Sequence, residues 1–301
     1  MTKRSRITTA LALAGAGALA LAGCAGPSGD AATDSDTAGA DRPITIAVFN
    51  GWDEGIAASE LWKAVLEEQG YDVELAYAEP AAVYTGLASG DYDLTLDTWL
   101  PLTHQQYVER FGADIVDLGA WNEEAKLTIA VNEDAPIDSL TELAANADMF
   151  DNKLVGIDAG SGLVTVTQDA VIPGYGLDGF DFIVSSTPAM LTELKSATDA
   201  GENIAVTLWR PHWAYNAFPI KDLEDPDGLL GEAEGIHTTS SLAFQEDFPE
   251  AFEWLSNFAM DNQTLYSLED AMFGGSDGDD FGPVVAQWIA ANQAWVDSLT
   301  S

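Results

Sequence analysis

Apolar and polar positions follow one another in short blocks along this chain. Ile44-Thr45-Ile46-Ala47-Val48-Phe49 is a compact apolar run of the kind buried in a parallel sheet. Between residues 57 and 69 the apolar positions Leu61, Trp62, Val65 and Leu66 recur at helical spacing, and Gly70 supplies the stop. Residues 71–76 read as a second strand and 81–87 as a short helix leading toward Gly90. A third strand over 91–96 delivers Asp97 and Trp99 at its end. Strand, helix, strand, helix, strand is the pattern of a doubly wound α/β lobe.

Around residues 126–131 the chain is expected to leave this lobe. Ser139-Leu140-Thr141-Glu142 has capping-box spacing and opens a helix. Strands are expected over 153–157, 180–184 and 204–208, with Thr187 as cap and Pro188 as first residue of the helix between the last two. The acidic, aperiodic stretch 222–235 reads as a loop, and 236–240 as the strand returning to the first lobe. Helices are expected over 249–258, 264–272 and 284–299. The loop Gly274 to Asp280 has calcium-like composition but lacks the spaced ligands and terminal Glu of an EF-hand, so it reads as an acidic turn and no metal site is expected. Gly160-x-Gly162 is only part of a dinucleotide motif and no Walker lysine follows it; no cofactor is expected.

The N-terminus changes the address rather than the fold. Lys3, Arg4 and Arg6 precede an Ala/Leu/Gly run over 10–20, and Leu21-Ala22-Gly23-Cys24 resembles a bacterial lipobox. The run is shorter than the roughly 20 residues that span a bilayer. Residues 1–23 therefore read as a signal peptide, Cys24 as the lipidation site, and 24–42 as a flexible, lipid-anchored linker. Cys24 is also the only cysteine, which excludes intramolecular disulfides, cysteine metal clusters and thiol catalysis. About 260 residues remain, enough for two lobes of roughly 130 each.

Fifty acidic against eleven basic residues give a formal charge of −39. With no basic stripe to neutralise phosphates, nucleic acid is not expected as a partner. The acidity could steer cations toward the protein, but such steering is largely screened at high ionic strength; a soluble surface adapted to a salty environment is the better explanation.

The chemistry lies in three tryptophan-bearing stretches at strand ends, where open α/β folds place ligands. They are Gly51-Trp52-Asp53-Glu54-Gly55-Ile56-Ala57, Asp97-Thr98-Trp99-Leu100-Pro101-Leu102-Thr103-His104 and Thr207-Leu208-Trp209-Arg210-Pro211-His212-Trp213. A quaternary ammonium donates no hydrogen bond, so its site must use ring faces, whose quadrupole attracts the charge while the indole covers the methyl groups. A ligand bearing N–H groups would instead want carboxylates inside the box. Trp62, Trp254, Trp288 and Trp295 fall in expected helices and are assigned to packing; Trp121 fits either role. The turn Gly160-Ser161-Gly162-Leu163 lets successive backbone N–H groups converge on a carboxylate at a helix start, and His104 is placed to donate to the same group. His212 and Trp213 are expected to pack behind Trp209, with Arg210 beside it turned away or paired with an acid.

Enzyme readings fare poorly. Positions 159 and 163 are Ala and Leu, so Ser161 lacks the Gly-x-Ser-x-Gly elbow. Asp97 and Asp158 stand at strand ends as a conceivable acid/base pair, or as helix caps.

On these motifs the chain resembles the glycine betaine/proline betaine substrate-binding proteins of ABC importers, over roughly residues 44–300. The resemblance implies a type II periplasmic-binding-protein-like fold, two doubly wound α/β lobes joined by a two-strand hinge with the ligand cleft between them. Lobe 1 would comprise 43–129 plus 238–301, and lobe 2 would comprise 130–237. It further implies a three-indole prism of Trp52, Trp99 and Trp209, with Gly162, Leu163 and His104 holding the ligand carboxylate. No catalytic residues follow from it. A membrane permease and a cytoplasmic ATPase are the implied partners, compatible-solute uptake the implied role, on the extracytoplasmic face of the membrane. Arg210 departs from the small or uncharged residue that relatives carry after the third Trp. A choline or carnitine receptor, and a sensory lipoprotein outside transport, are the competing expectations.

Overall fold

The computed structural model describes residues 42–275 and 280–301. The expected signal peptide, Cys24 and all of the linker except Arg42 lie outside the described residues, as do positions 276–279 of the acidic turn. Arg42 itself is tied down: its guanidinium donates to Asp93 and Asp247, each at 2.8 Å.

Nine strands form one sheet: β1 (Ile44–Phe49), β2 (Val73–Ala78), β3 (Leu94–Leu100), β4 (Ile115–Asn132), β5 (Lys153–Val155), β6 (Asp181–Ile183), β7 (Ala205–Arg210), β8 (Ile220–Asp222) and β9 (Glu234–Ser241). Their order is β2-β1-β3-β9-β4-β7-β5-β6, with β8 on β4. β1 runs parallel to β2 and β3, and β5 runs parallel to β6 and β7. Between these two parallel groups β4 and β9 lie antiparallel to each other. β4 is 18 residues long because it serves both halves: Ile115 to Ala125 pairs with β9, and Lys126 to Val131 pairs with β7. Register shifts between 117 and 125 mark the bulges that bend it between the halves.

Three helices cover the first half: α1 (Asp53–Glu68), α2 (Pro80–Ser89) and α3 (Gln105–Phe111). α1 buries Leu61, Trp62, Val65 and Leu66 against the sheet, the stripe expected from the sequence, yet starts four residues earlier than expected. Asp53-Glu54-Gly55 looks like a turn, but acidic residues in a first turn complement the free N–H groups and dipole there. β3 likewise continues past Leu96 through Asp97, Thr98 and Trp99. Thr98 accepts from the Tyr84 hydroxyl of α2 at 3.0 Å, and Asp97 Oδ1 accepts from the Trp99 indole.

Three other expectations need correction. Ser186, not Thr187, caps helix Thr187–Ala200, its hydroxyl accepting from the Ala189 N–H at 3.4 Å; Pro188 sits within the first turn. The stretch expected as a loop gives up Asp222 to β8, and Glu234 and Gly235 to β9. The expected helix over 284–299 breaks at Asn292 into Gly282–Ala291, Gln293–Val296 and a 3₁₀ turn, Asp297–Thr300. The Asn292 side chain donates back to the Trp288 carbonyl at 2.9 Å, the local competition with the helix ladder that makes Asn a poor interior residue. Trp121 resolves to packing, stacked on Phe258 with its N–H on the Leu96 carbonyl at 2.7 Å.

Candidate ligand-binding site

The site forms where the carboxyl ends of β1, β3, β5 and β7 face one another. Gly51 turns the chain out of β1 with φ +72°, and a Cβ there would meet Pro188 of the opposite half at 3.1 Å. Trp52 follows, immediately before α1. Trp99 and Trp209 are each the penultimate residue of their strands, and each precedes a cis X-Pro bond, at Pro101 and Pro211. All three indoles are buried, and all three line one cavity. The first half adds Glu54 and Thr103 to its wall, the shared strand β4 adds Leu127, and the second half adds Ile157, Ser161 and Leu163. Leu127 is the cross-strand partner of Trp209.

Three indole N–H groups at or behind the cavity are held by carboxylates, which fixes their ring planes. Trp99 donates to Asp97 and Trp209 to Glu54, both at 2.8 Å. Trp213 donates to Asp53 at 2.5 Å. The last two bonds cross between the halves and hold them together. Gly55 is required beside this arrangement, because a Cβ there would stand 2.4 Å from Asp97 Oδ2.

His104 lies against the far side of Trp52, stacked at 5.4 Å with planes 3° apart, and is not part of the cavity wall. Its Nδ1 accepts from the Trp99 N–H at 2.8 Å. Burial pushes it down to about 3, so the ring is neutral and carries its proton on Nε2, which has no partner among the described residues. His212 is built the same way, with Nδ1 accepting from the Ala214 N–H and burial lowering it to about 3. Its Nε2 lies 3.6 Å from Asp53, so that contact is not an ion pair. Arg210 faces away from the cavity, donating to Asp222 at 2.9 Å with its guanidinium 3.5 Å from the Tyr215 ring centre. Asp158 is no partner of Asp97: it serves Thr187 at the start of the next helix.

Ser161 caps the short helix Gly162–Val166 through its hydroxyl, which accepts from Val164 N–H at 3.2 Å. The amides of Gly162 and Leu163 are the first two of that helix, which have no acceptor within it. Thr103, opposite, is fixed by Glu234 at the start of β9. That carboxylate accepts from Leu102 N at 2.8 Å, Thr103 N at 2.9 Å and Thr103 Oγ1 at 2.5 Å. Glu234→Ala strands three donors, two of them on the buried Thr103. It is expected to lower unfolding stability by about 2–3 kcal/mol, read from the denaturant midpoint; an unchanged midpoint would mean that the loop finds other acceptors.

Residues 42–291 match the family model described as the substrate binding domain of ABC-type glycine betaine transport systems. The chain belongs to that family. The glycine betaine, L-proline-binding protein ProX from Borrelia burgdorferi shares 32% identity and superposes with a TM-score of 0.80, over 86% of this chain and 97% of that one. Lactococcal OpuAC, closed on glycine betaine, shares 25% identity with a TM-score of 0.79, over 87% of this chain and all of that one. The glycine betaine/carnitine transport binding protein GbuC of Listeria monocytogenes serotype 1/2a (strain 10403S) is 34% identical over 171 residues, 55% of each chain. The alignment thus spans about half the length of that curated relative.

The fold is accordingly the two-lobed α/β periplasmic-binding-protein-like type, and the family is one of non-catalytic substrate-binding proteins. What sequence reasoning missed in this binding protein is the carboxylate layer behind the indoles. The signal was present: Asp53 and Glu54 directly follow Trp52, and Asp97 stands two residues before Trp99, on the same face of a strand.

Proposed function

We propose that this binding protein captures glycine betaine between its lobes and delivers it to an ABC permease driven by a cytoplasmic ATPase. The reading rests on one observation above all: three indoles, two from one lobe and one from the other, line a single cavity. Its apolar walls suit a trimethylammonium group, which offers no proton to an acceptor. The ligand carboxylate is assigned to the amides of Gly162 and Leu163; His104, expected as a third donor, does not line the cavity and is left out of this assignment. β4 and the entry to β9 serve as the two-strand hinge, with lobe 1 taken as 43–129 plus 238–301 and lobe 2 as 130–237. Cys24 anchors the processed chain to the membrane by lipid, and the role is compatible-solute uptake.

Carnitine is the second candidate ligand, because the Listeria relative is named for both compounds. Calorimetry against glycine betaine, proline betaine, carnitine, choline and dimethylglycine tests the assignment. Glycine betaine is expected to bind tightest, with choline weaker for want of the carboxylate. A preference for choline would remove the carboxylate subsite from the reading.

A further inference from the structure

Behind the aromatic box lies a layer that shape alone does not account for: four buried carboxylates with no buried cation. Asp53 and Glu54 open α1, Asp97 lies on β3, and Glu269 lies on helix Asn262–Phe273, which packs against α1. Asp97 Oδ2 and both oxygens of Glu269 are buried without a hydrogen-bond partner among the described residues. Glu54 is the member that reaches the cavity wall. The four do not form a metal cage, since no group able to hold a metal ion occurs among the described residues.

The groups facing this cluster supply no positive charge. His212 and His104 are neutral, as burial dictates. Asp270 adds a further negative charge beside Glu269. Arg210 approaches through Tyr266 but is paired with Asp222. The indole N–H groups of Trp99, Trp209 and Trp213 and the backbone N–H groups of Glu54 and Trp213 also face it, all of them neutral. Like charges crowded in a low-dielectric interior cannot all ionise. Burial accordingly pushes Asp53 up to about 7 and Glu269 well above the carboxylate range. Burial raises Glu54 and Asp97 too, and Glu54 raises Asp97 further through its charge and a hydrogen bond. Four carboxylates so placed cannot all be charged at neutral pH.

A quaternary ammonium brings to the cavity a fixed positive charge and no proton. We propose that Glu54 is the counter-ion of the bound cation, and that capture of a quaternary ammonium expels a proton from the Glu54–Asp97 pair. One carboxyl O–H bond breaks, the proton leaves to solvent, and the carboxylate left behind faces the cation. The carboxylate in the wall then fits a ligand without N–H groups, since Glu54 already accepts from Trp209 and needs no donor from the ligand. An ionised acceptor on an indole N–H also makes the ring face more negative, which strengthens its hold on the cation.

This inference rests on the quaternary ammonium reading above. Its sign follows from linkage: the empty pair keeps its proton to higher pH than the occupied pair. Affinity therefore rises with pH between the two values, by up to about tenfold per pH unit, and is level outside them. Calorimetry of the chain with glycine betaine, in buffers of different ionisation enthalpy at matched pH, counts the protons. About one is expected to leave per ligand near pH 7. Glu54→Gln, or Asp97→Asn where the first does not fold, is expected to lower that count and flatten the pH dependence. Binding by the unaltered chain with no proton released overturns the proposal. So does a potentiometric titration of the ligand-free chain that matches the variant above about pH 6, where an ordinary carboxyl holds no proton. That comparison needs no ligand: a titration difference without affinity for any quaternary ammonium would remove the ligand assignment and leave the proton-holding pair in place.

Discussion

Trp209→Ala is expected to weaken glycine betaine binding by about a hundred- to a thousandfold, the largest loss among the three walls. Two contributions add. A ring face on the cation contributes about 0.5–2 kcal/mol. The Trp209 N–H also donates across the cleft to Glu54, and a hydrogen bond to a charged acceptor contributes about 1.5–3 kcal/mol. Together they reach about 3–4 kcal/mol, hence the range of two to three orders of magnitude. Trp209→Phe separates the two: it keeps an aromatic face and removes the donor, so a loss of about ten- to a hundredfold is expected. Trp52 has no such cross-cleft bond, and Trp52→Ala should lose up to about thirtyfold. Calorimetric affinities for the three variants decide it. Equal losses at positions 52 and 209 would show that the bond to Glu54 does not contribute to closure, and no loss at either would remove the box.

That difference between two indoles shows how far the sequence is legible. Positions 52, 99 and 209 could be picked out because a Trp at the end of an apolar run is exposed to the cleft by topology, and because Pro101 and Pro211 follow at the same spacing. The strands could be found for the same reason: β1 has the bounds that its apolar run predicts. The pattern fails wherever polar residues are buried. Thr95, Asp97 and Thr98 are all buried within β3, so a reading that ends strands at polar residues stops too early. Asp53 and Glu54 look like a solvated turn, yet they are the acceptors on which Trp213 and Trp209 hang. Partners brought together by the closing of two lobes stand 155 and 160 positions apart, and no local spacing relates them. Glu234 is a case of the same kind, since nothing near it in sequence says that it fixes Thr103.

Gly162 turns this long-range geometry into a test of closure. Its conformation requires no glycine; what requires it is the opposite lobe, because a Cβ would stand 2.3 Å from the Thr103 carbonyl oxygen and 2.7 Å from Thr103 Cγ2. Thr103 cannot retreat while Glu234 holds its N–H and hydroxyl. The only movement that relieves an alanine at position 162 is therefore separation of the lobes. Gly162→Ala is expected to leave ligand-free stability unchanged, since the clash exists only when the cleft is shut. It should weaken glycine betaine binding by about ten- to a hundredfold, from an overpacking penalty of about 1–3 kcal/mol. Small-angle scattering should show the unaltered chain contracting with ligand and the variant contracting less. Combining it with Glu234→Ala frees the loop that Thr103 rides on, so the double variant should lose less affinity than the two single losses sum to. Strict additivity would place the clash elsewhere, and wild-type affinity in Gly162→Ala would mean that the bound lobes do not meet at Thr103.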